Sequence, residues 1–254
     1  MASPLTARRA GVEALPWLAW ARVGALAAWL VFCLLTHLPL RTLKLRSAWP
    51  QRFLAGVARI AGARVEMRGE HVQSDVLYIS NHVSWLDVAI IAGATGSAFV
   101  AKAEMAPWPL IGWLATLNNS IYVERNARLD VGAQAAALGA ALETGQPVTL
   151  FPEGTTGDGV QLLPFRSSLI AAVAPPPPGI AIQPVAIDYG ADAADIAWVD
   201  DEPIGANALR LMARRRPIHA VLHFLKPLPS EEFTDRKAIA RHARAEVAAA
   251  LGQG

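Results

Sequence analysis

The chain has 254 residues, of which 53% are apolar and 17% are charged, and its formal net charge is +2. An ordinary soluble domain is about one quarter charged, so this chain is unusually apolar. Its composition excludes intrinsic disorder. Cys33 is the single cysteine, which excludes an intramolecular disulfide framework and a cysteine-rich metal site. The length predicts one domain with an appendage.

The charge is distributed unevenly along the chain. Residues 1–70 contain ten basic and three acidic residues, a net charge of +7, whereas residues 71–254 have a net charge of −5. The apolar residues are concentrated at the same basic end. A basic and apolar N-terminus indicates contact with an anionic membrane surface. No base-stacking aromatic motif accompanies the basic residues, so nucleic acid is not an expected partner.

A long apolar segment from Leu15 to Leu40 contains one formal charge, Arg22. Its part Val23–Leu40 has eighteen residues. At about 1.5 Å per residue, a helix of that length nearly crosses a hydrocarbon layer of about 30 Å. We therefore predict a membrane-anchoring helix. A cleaved signal peptide and a buried core helix are the alternatives.

An amphipathic helix is predicted next, because Trp49, Phe53, Val57 and Ile60 recur at helical spacing. Its basic face suits either the lipid headgroup layer or a solvated surface of the domain.

The basic residues that follow the apolar segment outnumber those that precede it. By the positive-inside rule this places the globular body on the cytoplasmic face of the inner membrane. The residues compared are Arg41, Lys44, Arg46 and Arg52 after the segment, and Arg8 and Arg9 before it. We predict an anchor over residues 1–62 and a globular domain over residues 63–254.

Segments typical of strands alternate with helical segments in this body. The predicted strands are residues 63–68, 76–80, 97–101, 120–123, 147–151, 180–189 and 219–226. The predicted helices are residues 85–92, 128–144, 166–173 and 230–251, with Ser84 as the N-cap of the first. Residues 192–201 are acidic and are expected to form an exposed connection. The alternation predicts an α/β fold with a mixed, largely parallel sheet flanked by helices.

A polar loop follows the second predicted strand. Asn81, His82, Ser84 and Asp87 fall within seven residues, where the strand ends and a helix begins. Open α/β sheets place their sites at the carboxyl ends of strands. The spacing from His82 to Asp87 lets the carboxylate fold back onto the imidazole, whose other nitrogen can then take a proton from a hydroxyl. A structural His–Asp pair is the alternative. No second histidine lies at ligand spacing, so no metal is expected.

A second polar loop follows the strand predicted at residues 147–151. Glu153 opens it, and a glycine-rich run continues through Gly154, Thr155 and Thr156. Backbone N–H groups of such a loop can hold an anion. A tight turn without a ligand is the alternative.

Five sequence blocks, in order, resemble the glycerolipid acyltransferases of the 1-acylglycerol-3-phosphate acyltransferase family. The segment from Asn81 to Asp87 resembles the Asn-His-x4-Asp signature of that family, and Phe151–Thr155 resembles its Phe-Pro-Glu-Gly-Thr block. Residues 101–112, 121–125 and 182–187 are similar to three further blocks. The resemblance covers roughly residues 60–226.

This resemblance implies transfer of a fatty acyl chain from acyl-CoA or acyl carrier protein to the hydroxyl of a lysolipid, with no cofactor. It implies that His82 is the general base and that Asp87 orients it. Lys102 and Arg125 are then the contacts to the acceptor's phosphate. The remaining residues implied on the substrate side are Asn81, Ser84, Glu153, Gly154 and Thr155.

Thr156 departs from the family pattern, because it stands where the family carries an arginine. One phosphate contact is therefore missing. We expect 1-acylglycerol-3-phosphate as the acceptor, with phosphatidic acid as the product. Lyso-ornithine lipid is the alternative, since bacterial acyltransferases of that lipid show similar blocks. A non-catalytic lipid-binding protein is a third hypothesis, which the intact His82–Asp87 pair disfavours.

A basic run, Arg214–Arg216, has two interpretations. It is a solvated surface, or it meets an anionic lipid, the CoA phosphates or the acidic carrier protein. We favour the solvated surface.

Overall fold

The computed structural model describes most of the chain. The described residues are 14–43, 47–103, 106–108, 111–123, 139–142, 144–171, 174, 178–199, 202–229 and 235–253. Several residues named in the sequence analysis lie outside these ranges: Lys44, Arg46, Arg125 and most of the helix predicted at residues 128–144. The side chains of Arg41 and Lys102 are also outside the described part.

Seven strands form one sheet. They are β1 (Ala63–Arg68), β2 (Val76–Ser80), β3 (Ala98–Lys102), β4 (Ile121–Val123), β5 (Val148–Leu150), β6 (Ala181–Asp188) and β7 (Ile218–Phe224). Their order in the sheet is β1-β7-β6-β2-β5-β3-β4. All neighbouring pairs are parallel except β6 with β7, which is antiparallel. The predicted mixed, largely parallel sheet is confirmed, and all seven predicted strands are present.

Eight helices with defined bounds surround the sheet in the described residues. They are α1 (Pro16–Thr42), α2 (Trp49–Ala61), α3 (Leu86–Thr95), α4 (Ile111–Leu117), α5 (Ser167–Ile170), α6 (Ala193–Ile196), α7 (Ile204–Met212) and α8 (Arg236–Ala250). A 3-10 turn, Gly190–Asp192, precedes α6. Residues 139–142 are also helical.

The core lies on both faces of the sheet, because successive side chains of a strand point to opposite faces. All five residues of the central strand β2 are buried, as expected for a parallel strand covered on both sides. Val76 and Tyr78 pack in a cluster with α2 and α3. Leu77 and Ile79 pack on the other face in a cluster with α8. The loop that carries His82 therefore follows a strand that is packed against helices on both faces of the sheet.

Helix α2 packs against α3 through a close backbone approach. A Cβ atom on Gly93 of α3 would lie 2.7 Å from the Cα atom of Ala55 in α2, so this crossing requires glycine. The amphipathic segment therefore packs on the domain, which was one of its two interpretations. Its contact with lipid headgroups and the domain boundary at residue 62 stay predictions.

Helix α1 docks on the body at two points. Arg22 Nη1 donates to the carbonyl oxygens of Met212 at 2.8 Å and of Arg214 at 3.0 Å, where α7 ends. Trp29 Nε1 donates to the carbonyl of Phe53 in α2 at 3.1 Å. These bonds satisfy backbone carbonyls and join the apolar helix to the domain.

Most of α1 is nonetheless exposed. Pro16–Leu40 is long and apolar enough to cross a membrane by length and composition. Only 11% of its most apolar 18-residue stretch is buried. The alternative of a buried core helix is therefore wrong. The large exposed apolar side chains on it are Trp17, Trp20, Val31, Phe32, Leu35 and Leu38.

Three local expectations are corrected. Helices α4 and α7 were not predicted, since they have only seven and nine residues and each begins close after a proline. The acidic segment expected as an exposed connection begins with a 3-10 turn and helix α6, in which Ile196 is buried. Arg214 is not solvated, because it is 3% exposed and its guanidinium lies 2.9 Å from the Asp192 carboxylate and 3.8 Å from that of Asp195.

Candidate active site

The two polar loops predicted from the sequence meet at one edge of the sheet. Strands β2 and β5 are parallel neighbours, so their carboxyl ends lie side by side. His82 follows β2, and Glu153 follows β5. The backbone N–H of His82 donates to Glu153 Oε1 at 2.9 Å, and the N–H of Gly157 donates to the His82 carbonyl at 2.7 Å.

His82 and Asp87 are in contact. The imidazole Nδ1 lies 2.8 Å from Asp87 Oδ2. An ionised carboxylate can only accept hydrogen bonds, so Nδ1 carries the proton and Nε2 is left as the acceptor of the neutral ring. No described residue hydrogen-bonds Nε2, and 17% of the His82 side chain is exposed. This geometry suits abstraction of a proton from a hydroxyl at Nε2.

Asp87 also organises the loop. Its Oδ2 accepts from the backbone N–H groups of Val83 at 2.6 Å and Ser84 at 2.9 Å. Its Oδ1 accepts from the hydroxyl of Tyr189 at 2.5 Å. Asp87 is fully buried, so these donors replace the water that the charge would otherwise need.

The predicted N-cap role of Ser84 is wrong. The hydroxyl oxygen of Ser84 accepts from the Leu86 N–H at a long 3.4 Å, and the residue that caps α3 by position is Trp85. Asp87 reaches back to the N–H groups of Val83 and Ser84, which precede α3.

Asn81 ties the loop to the neighbouring strand. Its side-chain amide donates to the carbonyl of Ile187 at 3.0 Å and accepts from the N–H of the same residue at 2.8 Å. The side chains of Asn81 and Ser84 are both buried. Their contacts are with protein groups, and their assignment to the substrate side stays a prediction.

The imidazole is held from its face by an aromatic ring. His82 and Phe151 are stacked, with ring centroids 4.0 Å apart and an interplanar angle of 10°. Phe151 is in turn stacked on Phe99 of β3 at 5.7 Å. The ring plane of the proposed base is therefore fixed by packing, and Nε2 has a defined direction.

Glu153 is the second buried carboxyl group beside His82. It is 3% exposed. Burial raises the pKa of Glu153 to about 8; the nearby charge of Asp87 adds to this, and the backbone N–H groups of His82 and Leu163 oppose it. Glu153 is therefore mostly uncharged at neutral pH.

The rest of the glycine-rich loop turns beside these residues. Gly154 is buried and has a φ of +75°, a backbone conformation that favours glycine. Thr155 is exposed. A cavity of about 270 Å³ adjoins the site, and Asn81, His82, Glu153 and Gly157 are among its lining residues.

Trp198 joins the two loops, and the sequence did not predict this contact. Its backbone N–H donates to the carbonyl of Val83 at 2.9 Å, and its backbone carbonyl accepts from the hydroxyl of Thr156. Trp198 lies in the segment expected to be an exposed connection, and no sequence pattern links it to either loop. Phe151 and Tyr189 were also missed, although their positions directly after β5 and β6 were available as a signal.

The structure describes the pair of residues implied as phosphate contacts, Lys102 and Arg125, only in part. Lys102 is the last residue of β3, at the same edge of the sheet, and its side chain lies outside the described part of the structure. Arg125 lies outside the described residues. Within the described residues no cluster of metal-ligating side chains is found.

Comparison with known proteins identifies the family. A family model described as Acyltransferase matches residues 64–188, which include both loops. A lyso-ornithine lipid O-acyltransferase of Rhodobacter capsulatus is 32% identical over 247 residues, covering 91% of this chain and 89% of that protein. A 1-acyl-sn-glycerol-3-phosphate acyltransferase of Neisseria gonorrhoeae is 38% identical over 94 residues, 37% of each chain.

A solved structure has the same fold. The crystal structure of the 1-acyl-sn-glycerophosphate (LPA) acyltransferase PlsC from Thermotoga maritima matches with a TM-score of 0.62 over 93% of this chain and 95% of that one, at 16% identity. The chain belongs to the acyltransferase family. Within that family it is a lysolipid acyltransferase, as the sequence blocks predicted.

Proposed function

We propose that His82 is the general base of this acyltransferase and that the acceptor is lyso-ornithine lipid, with a fatty acyl thioester of CoA or acyl carrier protein as donor. The observation that carries the catalytic part is the bond of 2.8 Å between Nδ1 of His82 and the buried Asp87. It leaves Nε2 free to act as base and supports the charge that forms on the ring.

The reaction needs no enzyme nucleophile. Nε2 takes the proton of the lysolipid hydroxyl while the hydroxyl oxygen attacks the thioester carbonyl. When the tetrahedral intermediate collapses, the carbon–sulfur bond breaks. The imidazolium returns its proton to the departing thiolate. Asp87 stabilises the imidazolium while the ring carries the proton. Stacking on Phe151 holds the imidazole ring in its orientation.

The relatives support lyso-ornithine lipid as the acceptor. Four proteins bearing that name are 32–36% identical to this chain over 62–89% of their own lengths. Thr156 fits the same assignment, because it removes one cation from a phosphate site. This order of acceptors is the reverse of the sequence-based expectation.

The second candidate acceptor is 1-acylglycerol-3-phosphate. The Neisseria relatives with that activity in their names support it, at 38% identity over 37% of their length. The cationic pair Lys102 and Arg125 also suits a phosphate. For lyso-ornithine lipid, Arg125 would pair with the ornithine carboxylate instead.

An acceptor panel separates the two candidates. Purified protein and one labelled acyl donor are incubated with each lysolipid, and the diacyl product is quantified. We expect turnover with lyso-ornithine lipid and little with 1-acylglycerol-3-phosphate. The opposite order would overturn the acceptor and leave the acyl transfer intact.

Thr156→Arg adds a second test. If the phosphate lipid is the acceptor, the added cation should lower its KM; if lyso-ornithine lipid is the acceptor, it should not help. The substitution also removes the hydroxyl that bonds the Trp198 carbonyl. Thr156→Val is the matched control, because it removes the same bond without adding charge.

A further inference from the structure

Tyr189 makes a contact with the catalytic pair that the reaction scheme above does not use. The Tyr189 hydroxyl donates to Asp87 Oδ1 at 2.5 Å, whereas the imidazole is held by Oδ2 at 2.8 Å. The two oxygens of one carboxylate are thus divided between the tyrosine and the histidine. Rotation of the carboxylate would break both bonds.

The fold fixes Tyr189 independently of Asp87. Tyr189 directly follows β6, and two residues earlier the backbone of Ile187 is bonded on both its groups by the Asn81 side chain. The Tyr189 ring is 4% exposed and packs in the same cluster as Ile187 and Ile196. Its hydroxyl therefore has a set position beside Asp87.

Tyr189 stays a donor across the working range of pH. Burial raises the pKa of its hydroxyl well above the ordinary value, and the charge of Asp87 acts in the same direction. The titratable groups that face His82 among the described residues are Asp87 at the ring and Glu153 at the backbone N–H. Arg244 acts on Glu153 electrostatically.

We propose that Tyr189 is a positioning residue of the reaction: its hydroxyl orients the Asp87 carboxylate toward His82 and limits how strongly that carboxylate attracts the imidazolium. This inference rests on the proposed role of His82 as base. It extends the pair to three side chains in contact, Tyr189, Asp87 and His82. Tyr189 directly follows β6, His82 lies in the loop after the neighbouring strand β2, and Asp87 lies in the first turn of α3.

Tyr189→Phe tests the proposal. Without the hydroxyl, Asp87 keeps only the donors on Oδ2, so its carboxylate is oriented less firmly and its charge acts more fully on the imidazolium. We expect kcat to fall about tenfold or more, the scale of one hydrogen bond to a charged group, with KM nearly unchanged. The acid limb of the kcat/KM profile should move to higher pH, because the imidazolium is held more strongly.

Tyr78→Phe is the matched control. Tyr78 is also fully buried in the same cluster, and its hydroxyl donates to the carbonyl of Val72, away from the catalytic pair. Both variants lose one buried hydrogen bond and should unfold at lower temperature. Only Tyr189→Phe should change kcat and the pH profile. Equal profiles in the two variants would overturn the proposal.

Fluorotyrosine gives a second measurement that does not depend on the folding of Tyr189→Phe. The chain has three tyrosines, so in a Tyr78→Phe/Tyr122→Phe variant the label reports Tyr189 alone. Fluorination strengthens the hydroxyl as a donor, so the acid limb should move to lower pH. An unmoved limb contradicts the role of Tyr189. Absence of acyl transfer by the wild-type protein, with every lysolipid tried, contradicts the proposed function instead.

Discussion

Two buried carboxyl groups lie beside His82, and their partners give them different tasks. Asp87 contacts the imidazole and accepts from backbone N–H groups of its own loop, whereas Glu153 accepts from the backbone N–H groups of His82 and Leu163. Four described donors surround Asp87. Asp87 is therefore suited to support a cation, and Glu153 is suited to join two loops.

The state of Glu153 predicts how stability depends on pH. The pKa of Glu153 is about 8 in the folded chain, against 4.5 for an ordinary glutamate. Between these values the unfolded chain releases the proton and the folded chain keeps it. The free energy of unfolding therefore falls as pH rises from 4.5 to 8, by at most about 1.4 kcal/mol per pH unit.

Glu153→Gln should remove this contribution. The variant should gain stability relative to the wild type as pH rises from 5 to 8, since the amide does not ionise and still accepts the His82 N–H. Denaturant unfolding at several pH values measures this difference. A difference that is independent of pH would show that Glu153 is ionised in the folded chain.

The residues of the site were predictable where they are close in sequence. His82 and Asp87 share one loop and one helical turn, so their contact follows from spacing. Tyr189 is 102 residues from Asp87, and Trp198 is 42 residues from Thr156. Those contacts depend on the order of strands in the sheet, which no local pattern reports.

At the scale of elements, strands were predicted better than short helices. Strand β2 is a continuous apolar run and β7 alternates, and both patterns follow from burial on one or two faces. Helix α4 has seven residues and α6 has four. Such short helices are held by tertiary packing, so their own sequences carry little periodicity.

The crossing of α2 with α3 gives a prediction at this scale. Gly93→Ala should destabilise the protein by about 1–3 kcal/mol, because the new methyl group would meet the backbone of Ala55. Gly205→Ala in α7 is the control, since nothing lies within 4 Å of its added Cβ. It should be neutral or slightly stabilising. Thermal unfolding measures the stability of both variants. An equal loss of stability in the two variants would contradict the close crossing of α2 and α3.

At the scale of the whole molecule, the apolar helix and the site belong to one packed unit. Arg22 and Trp29 join α1 to the body, and α2 lies between α1 and α3, the helix that follows the His82 loop. A membrane that receives α1 would thus hold the site near its surface. That position suits a lysolipid acceptor.

Membrane attachment is predicted to depend on the exposed side of α1. Leu35 is 70% exposed, so a Leu35→Lys change should weaken sedimentation of the full chain with liposomes containing anionic lipid and leave the fold intact. Leu209→Lys, on α7 and 37% exposed, is the control and should sediment as the wild type does. Equal sedimentation of all three proteins would refute attachment through α1.

Acyl transfer by wild-type and His82→Ala protein, with the same lysolipid and acyl donor, tests the role of His82 most directly. Product formation is followed by mass spectrometry and free thiol by a colorimetric assay. Both should require the lysolipid and should fall together by about 10²–10⁴-fold in His82→Ala, the usual contribution of a general base. Asp87→Asn should also lose most activity. Near-normal turnover by a folded His82→Ala protein would contradict His82 as the base.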